Sequence, residues 1–271
     1  MILKTAAKTY DLAERTHIMG ILNVTPDSFS DGGSYTSMEG AVKQAVEMEK
    51  QGADIIDIGG ESTRPNHKAV SLDEELSRVI PMIKAVKSAI NIPISVDTYK
   101  AEVAKQAIEA GADIINDIWG AKKEPEIAII AATYQTPIIL MHNRTDMNYT
   151  NLIEDMKRDL QTSIDIALKA NVPKKNIILD PGIGFAKTME DNLAVMNHLE
   201  QFSELGYPVL LGTSRKGFIG KILDDIPADA RDNGTGATTC LGVTKGVQIV
   251  RVHNVKLHKE LVKMMDTMLA Y

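Results

Sequence analysis

Arg251 and His253 stand two residues apart in "VQIVRVHN", a spacing that sends both side chains to one face of a β-strand. Val250 and Val252 take the other face, so the strand separates a cationic edge from an apolar one. Turning an arginine inward without a partner is costly, and its forked donors match phosphate oxygens. An anionic ligand is the natural partner; an internal ion pair with Asp180 or Glu61 is the alternative. "GTSRKGFIG" adds Arg215 and Lys216 on a turn after another apolar run. Lys216 can serve the same anion or point inward to the carbonyl of a flat heterocycle. Asp97, Asn116 and Asp180 each close an apolar run, and supply two carboxylate acceptors and an amide that both donates and accepts. With a lysine, that set matches the edge of a 2-amino-4-oxo pyrimidine.

Such residues need a scaffold that brings distant parts of the chain to one place. Eight short apolar runs recur: "HIMGILN", "DIIDIGG", "IPISVDT", "ADIINDI", "TPIILMH", "NIILDPG", "YPVLLGT" and "VQIVRVHN". Near-continuous Ile, Val and Leu is the composition of strands buried on both faces of a parallel sheet. Amphipathic segments lie between them. Thr36 with Glu39 and Ser71 with Glu74 read as capping boxes, Gly52 as a helix stop, and Pro81 as a bend inside its helix. Eight β–α units without a linker predict an α/β fold, a closed (β/α)8 barrel over residues 16–271. Residues 1–15 read as an N-terminal extension able to cap the barrel bottom. An open doubly wound sheet is the rival, but the turn after the first run lacks its glycine-rich fingerprint.

A barrel of this kind gathers its chemistry at the C-terminal ends of the strands. Asn23, Asp57 with Glu61 nearby, Asp117, His142, and Thr213 with Ser214 join the residues above at those ends. Any one of them has an ordinary explanation as a helix N-cap. Together they predict a polar pocket. The stretch "GILNVTPDSFSDGG" stops an apolar run at Asn23 and releases a loop of turn formers, hydroxyls and aspartates around Phe29, which is the character of a binding loop.

Composition bounds the rest. Of the 271 residues 44% are hydrophobic but only 4% aromatic, so aliphatic side chains must fill the core. A net charge of −6 argues against a nucleic-acid surface. One cysteine, Cys240, in a helix-like segment where it reads as core, excludes an internal disulfide. The N-terminus lacks an apolar leader and no run reaches transmembrane length, so no membrane association is expected and the cytoplasm is the expected compartment.

"MGILNVTPDSFSDGG", "ADIIDIGGESTRPN", "ISVDT", "GADIINDIWG", "ILDPGIGFAKT", "TSRKGFIG" and "VRVHNV" together resemble the dihydropteroate synthase family over nearly all of the chain from Thr16. The resemblance implies an enzyme of folate synthesis, a sulfonamide target in that family, joining a dihydropterin methyl diphosphate to 4-aminobenzoate with release of diphosphate. It implies that Asp97, Asn116, Asp180 and Lys216 hold the pterin between apolar walls of Ile118, Met141, Phe185 and Gly212, with Arg251 stacking on the ring. Asn23, Thr63, Arg251 and His253 would gather around the diphosphate, Asn23 contacting its Mg²⁺. Two loops, the first from Thr25 to Gly33 and the second "GGESTRPN", would close over it. Phe29, Pro65, Lys216 and Gly217 would meet the aminobenzoate. Asp31 and Arg64 are loop candidates for catalysis beside Arg251 and His253, with a solvated surface charge as the alternative. His142 either contacts substrate or caps its strand. The family further implies a homodimer. One departure stands out: many members have serine after the lysine of "SRK", where this chain has Gly217. A folate-dependent methyltransferase, a non-catalytic pterin-binding homologue and a sugar-phosphate barrel are the competing readings. The long first loop and the Arg251–His253 pair favour the synthase.

Overall fold

The computed structural model describes residues 1–24, 34–61 and 70–271, with the backbone alone for 34–37. It opens with a small antiparallel hairpin, β1 (Ile2–Lys4) and β2 (Thr9–Asp11). Eight parallel strands follow: β3 (His17–Asn23), β4 (Ile55–Gly59), β5 (Ile94–Asp97), β6 (Ile114–Asp117), β7 (Ile138–Met141), β8 (Ile177–Asp180), β9 (Leu210–Leu211) and β10 (Ile249–Val252). They lie in the order β8-β7-β6-β5-β4-β3-β10-β9. A parallel bridge from Leu179 to Val209 joins β8 to the approach of β9 and closes the ring. The helices are α1 (Ser34–Lys50), α2 (Leu72–Lys87), α3 (Ala101–Glu109), α4 (Glu126–Thr133), α5 (Leu152–Lys169), α6 (Met189–Asn197), α7 (Glu200–Ser203), α8 (Gly217–Ile222), α9 (Asp232–Thr244) and α10 (Val255–Leu269). The fold is the (β/α)8 barrel expected from the eight apolar runs.

Alternation along each strand builds two cores. Ile18, Ile56, Ile115, Ile138, Ile177, Leu211 and Val250 face the helices in the outer core. Their neighbours Met19, Ile55, Ile114, Ile139, Ile178, Leu210 and Ile249 face the axis and fill the barrel floor. Leu3, Tyr10 and Leu12 from the N-terminal segment join that inner cluster, and the Tyr10 hydroxyl donates to the Asp54 carbonyl at 2.6 Å. Two residues further along, the inward position changes character: Ile55 leads to Asp57, Ile114 to Asn116, Ile178 to Asp180, and Ile249 to Arg251. A dry floor therefore carries a polar storey directly above it.

Local details follow their chemistry. The Ser71 hydroxyl accepts from the Glu74 N–H at 3.3 Å, the forward half of the expected box. α2 runs through Pro81. Gly52 ends its turn at φ +99, the left-handed region where glycine is favoured. The box read at Thr36 falls among side chains outside the description. Cys240 lies in α9 but is only half-buried, because one side of the helix meets solvent.

Candidate functional site

At the C-terminal ends of the strands a pocket open to solvent is lined by Asp97, Asn116, Ile118, Met141, Asp180, Gly182, Ile183, Phe185, Gly212, Lys216 and Arg251. The fold thus brings together nine residues singled out from sequence, drawn from six strands or the turns that follow them. Gly212 lines the wall beside Asp180, where a Cβ would make an ordinary contact at 3.7 Å from Asp180 Oδ2.

Arg251 is anchored inside the pocket by two carboxylates. Its Nε donates to Asp57 Oδ2 at 2.6 Å and its Nη2 to Asp97 Oδ2 at 2.8 Å. An internal ion pair therefore exists, but with Asp57 and Asp97 rather than with Asp180 or Glu61: those two lie on β4 and β5, within reach of the guanidinium. Glu61 is drawn away to Lys100 at 2.8 Å, which also holds Glu75. Asn116 Nδ2 donates to Asp57 Oδ2 at 3.2 Å, which leaves the amide oxygen for a ligand. Asp57 was visible in the sequence only as another polar strand end. Here it is a buried anchor shared by two pocket residues.

Burial sets the electrostatics. It pushes the Asp180 carboxyl up to about 6, against the opposing effect of a hydrogen bond from the Gly182 N–H at 2.7 Å and the charge of Lys216. Asp97 is pushed up as well, by burial and then by its neighbour Asp57, with Arg251 opposing. The Lys216 ammonium is pushed down to about 8 by burial and by Arg251. Its Nζ lies 4.2 Å from the centroid of the Phe185 ring, a cation–π approach.

Other strand-end residues turn elsewhere. Asp117 accepts from the Trp119 N–H at 2.8 Å and the Ala121 N–H at 2.6 Å, so it shapes its own turn while Asn116 faces the pocket. Arg215 is not at the site: it pairs with Asp232 through Nε at 2.7 Å and Nη2 at 2.9 Å. His142 directly follows β7, where its N–H donates to the Asp180 carbonyl at 2.8 Å, and its ring is enclosed between Asp159 and Lys187 rather than lining the pocket. Ser214 Oγ lies 2.8 Å from His253 Nδ1 and accepts from the His253 N–H at 3.1 Å. Asn23 is half-buried at the end of β3, the strand that pairs with β10. α8 starts at Gly217, and a Cβ on that residue would meet nothing within 4 Å. Phe29, Asp31, Thr63, Arg64 and Pro65 lie outside the described residues, as does the first loop from Thr25 to Gly33.

A sequence model for the family described as pterin binding enzyme matches residues 19–253. The chain is 60% identical over 268 residues to a dihydropteroate synthase of Bacillus subtilis, covering 99% of this chain and 94% of the relative. A Clostridium difficile dihydropteroate synthase solved in the presence of pteroic acid superposes with TM-score 0.93 at 48% identity, covering 96% of this chain and 98% of the other. A Xanthomonas albilineans dihydropteroate synthase solved with 4-aminobenzoic acid superposes with TM-score 0.95 at 39% identity, covering 100% and 98%.

Proposed function

The chain belongs to the pterin-binding enzymes and, within them, to the dihydropteroate synthase family, and from that premise we propose how its residues make 7,8-dihydropteroate. The transferase joins a (7,8-dihydropterin-6-yl)methyl diphosphate to 4-aminobenzoate and releases diphosphate. One observation carries the assignment of the pocket: two carboxylates, an amide and two cations converge inside one apolar-walled cavity at the strand ends. Asp97 and Asp180 accept from the donor edge of the pterin, Asn116 offers its free amide oxygen, and Lys216 donates to the ring carbonyl. Ile118, Met141, Phe185 and Gly212 wall the ring. Arg251 has three N–H groups beyond its two carboxylate bonds. It lies over the ring and, with Asn23, Thr63 and His253, receives the diphosphate.

Departure of diphosphate precedes attack by the weakly nucleophilic aryl amine, because the electron-rich dihydropterin supports a cation at its exocyclic carbon. Arg251 and His253 stabilise the charge that develops on the leaving oxygens, the kind of contribution that usually dominates catalysis. Asp31 favours the cation, and Arg64 ties the two loops together. Phe29, Pro65, Lys216 and the backbone at Gly217 form the aminobenzoate slot, which is complete only after the diphosphate has bound. These loop roles rest on the sequence motifs.

Mg²⁺ fits this donor set. Among the described residues no group of three or more His, Cys, Asp or Glu is arranged to hold a cation, and Mg²⁺ usually keeps several waters and is bound through substrate phosphates and one or two carboxylates rather than by a cage of protein oxygens. Asn23, on the strand beside Arg251 and His253, offers one such oxygen. When bound, the ion would offset charge on the diphosphate. No helix among the described residues is long and apolar enough to cross a membrane; a cytoplasmic homodimer acting on small molecules, without nucleic acid, is the assembly we infer. Calorimetry tests the pocket. Asp180→Asn weakens binding of a 6-substituted pterin because a charged acceptor is lost, and an unchanged affinity would refute the assignment.

A further inference from the structure

The stretch from Asp180 to Lys187 leaves β8 as an irregular loop and supplies Asp180, Gly182, Ile183 and Phe185 to the pocket. Its backbone is unusual. Gly182, Gly184 and Ala186 have φ of +67, +84 and +47, and for alanine that region is sparsely populated. A Cβ on Gly182 would lie 2.0 Å from the His142 carbonyl oxygen, so the loop is pressed against the end of β7. Something must hold it there.

Lys187 does. It is 9% exposed, and its Nζ donates to the Gly182 and Phe185 carbonyls and to His142 Nδ1, each at 3.0 Å. His142 Nε2 lies 3.0 Å from Asp159 Oδ2. A carboxylate only accepts, so Nε2 carries the ring proton and Nδ1 presents its lone pair to Lys187. Three acceptors meet three ammonium hydrogens, and none remains for substrate. Arg144 Nε, at 2.9 Å from Asp159 Oδ2, steadies the far end of the chain. The loop in turn touches Lys216: a Cβ on Gly184 would lie 3.0 Å from Lys216 Cδ, and the Phe185 ring meets Lys216 Nζ.

We propose that Lys187, oriented by His142 and Asp159, is a positioning residue for the pterin pocket, clamping the loop that carries Asp180 and Phe185. This rests on the pocket being the pterin seat. Removing the ammonium leaves two carbonyls and an imidazole nitrogen buried without a donor, and the loop must move to regain partners.

Calorimetry with a 6-substituted pterin, combined with steady-state kinetics, tests it on the purified full chain. Wild-type protein that fails to bind the pterin overturns the reading of the pocket itself. Given wild-type binding, Lys187→Met weakens the pterin by about tenfold or more, while KM for 4-aminobenzoate at saturating pterin diphosphate changes by less than about threefold. Combining it with His142→Leu adds little to Lys187→Met alone, because the two act as a unit. Asp159→Asn weakens pterin binding in the same direction by a smaller factor, and decides the matter if Lys187→Met does not fold. Unchanged pterin affinity in a folded variant, equal losses for both substrates, or fully multiplicative losses in the double variant would overturn the proposal.

Discussion

At the scale of single residues, the site works by holding charged groups where water is scarce. Asp180 shows the consequence for pH. Its folded carboxyl is raised to about 6 from the ordinary 3.8 by burial, so the contribution of this group to the stability of the free protein is complete below 3.8 and is lost as pH rises through about 6. Pterin binding has the opposite slope, since the acceptor form exists only above about 6. We therefore expect calorimetric pterin affinity to fall on acidification through that range, and Asp180→Asn to remove this step while leaving the part due to Asp97. An acid limb unaltered in Asp180→Asn would place the titration elsewhere. Gly217 gives a second prediction. Open space around its missing Cβ means that Gly217→Ser changes stability by no more than about 0.5 kcal/mol. The new hydroxyl should lower KM for 4-aminobenzoate, and a raised KM would contradict the assignment of this turn to the aminobenzoate slot. Asp57 and Lys187 were the residues that sequence left unassigned. Asp57 shared its i, i+2 relation to a floor isoleucine with Asn116 and Asp180, but nothing in the sequence said that Arg251 would come to it. Lys187 lies in the motif "ILDPGIGFAKT" without a role legible there, because its partners are two loop carbonyls and a histidine just past the end of β7.

At the scale of elements, the alternation that separates the two cores also aims the site. Polar residues that close the apolar runs are a pattern written in the sequence, and it places Asp97, Asn116, Asp180 and Arg251 at the strand ends; three of them, Asn116, Asp180 and Arg251, stand two residues after an inward isoleucine of the floor. What the sequence concealed was how side chains at the rim sort themselves. Arg215 has φ +57 and turns out to Asp232, whereas Lys216 next to it turns in. Asn116 faces the pocket and Asp117 faces its own backbone. Such choices depend on a local turn and on partners from distant segments, and motif spacing is silent about both. The floor has its own test. Leu3 is 1% exposed in the inner cluster, so Leu3→Ala costs about 2–5 kcal/mol in stability without changing either KM. Urea unfolding checks the first part and kinetics the second; a loss under 0.5 kcal/mol, on the order of a surface substitution, would mean that the hairpin does not seal the barrel.

At the scale of the whole molecule, the barrel provides a pocket at the strand ends, and the motifs read as two loops in the sequence carry the remaining assignments. In the proposed account the barrel pocket takes the pterin, and the loop motifs add Thr63 to the diphosphate residues and Phe29 and Pro65 to the aminobenzoate slot. That division predicts order: pterin diphosphate first, aminobenzoate second. The most direct measurement is diphosphate release by the purified protein given (7,8-dihydropterin-6-yl)methyl diphosphate and Mg²⁺, with and without 4-aminobenzoate. The account predicts release matched mole for mole by 7,8-dihydropteroate when 4-aminobenzoate is present. Intact pterin binding with no release under either condition would contradict it, and would leave a pterin-binding barrel without synthase activity.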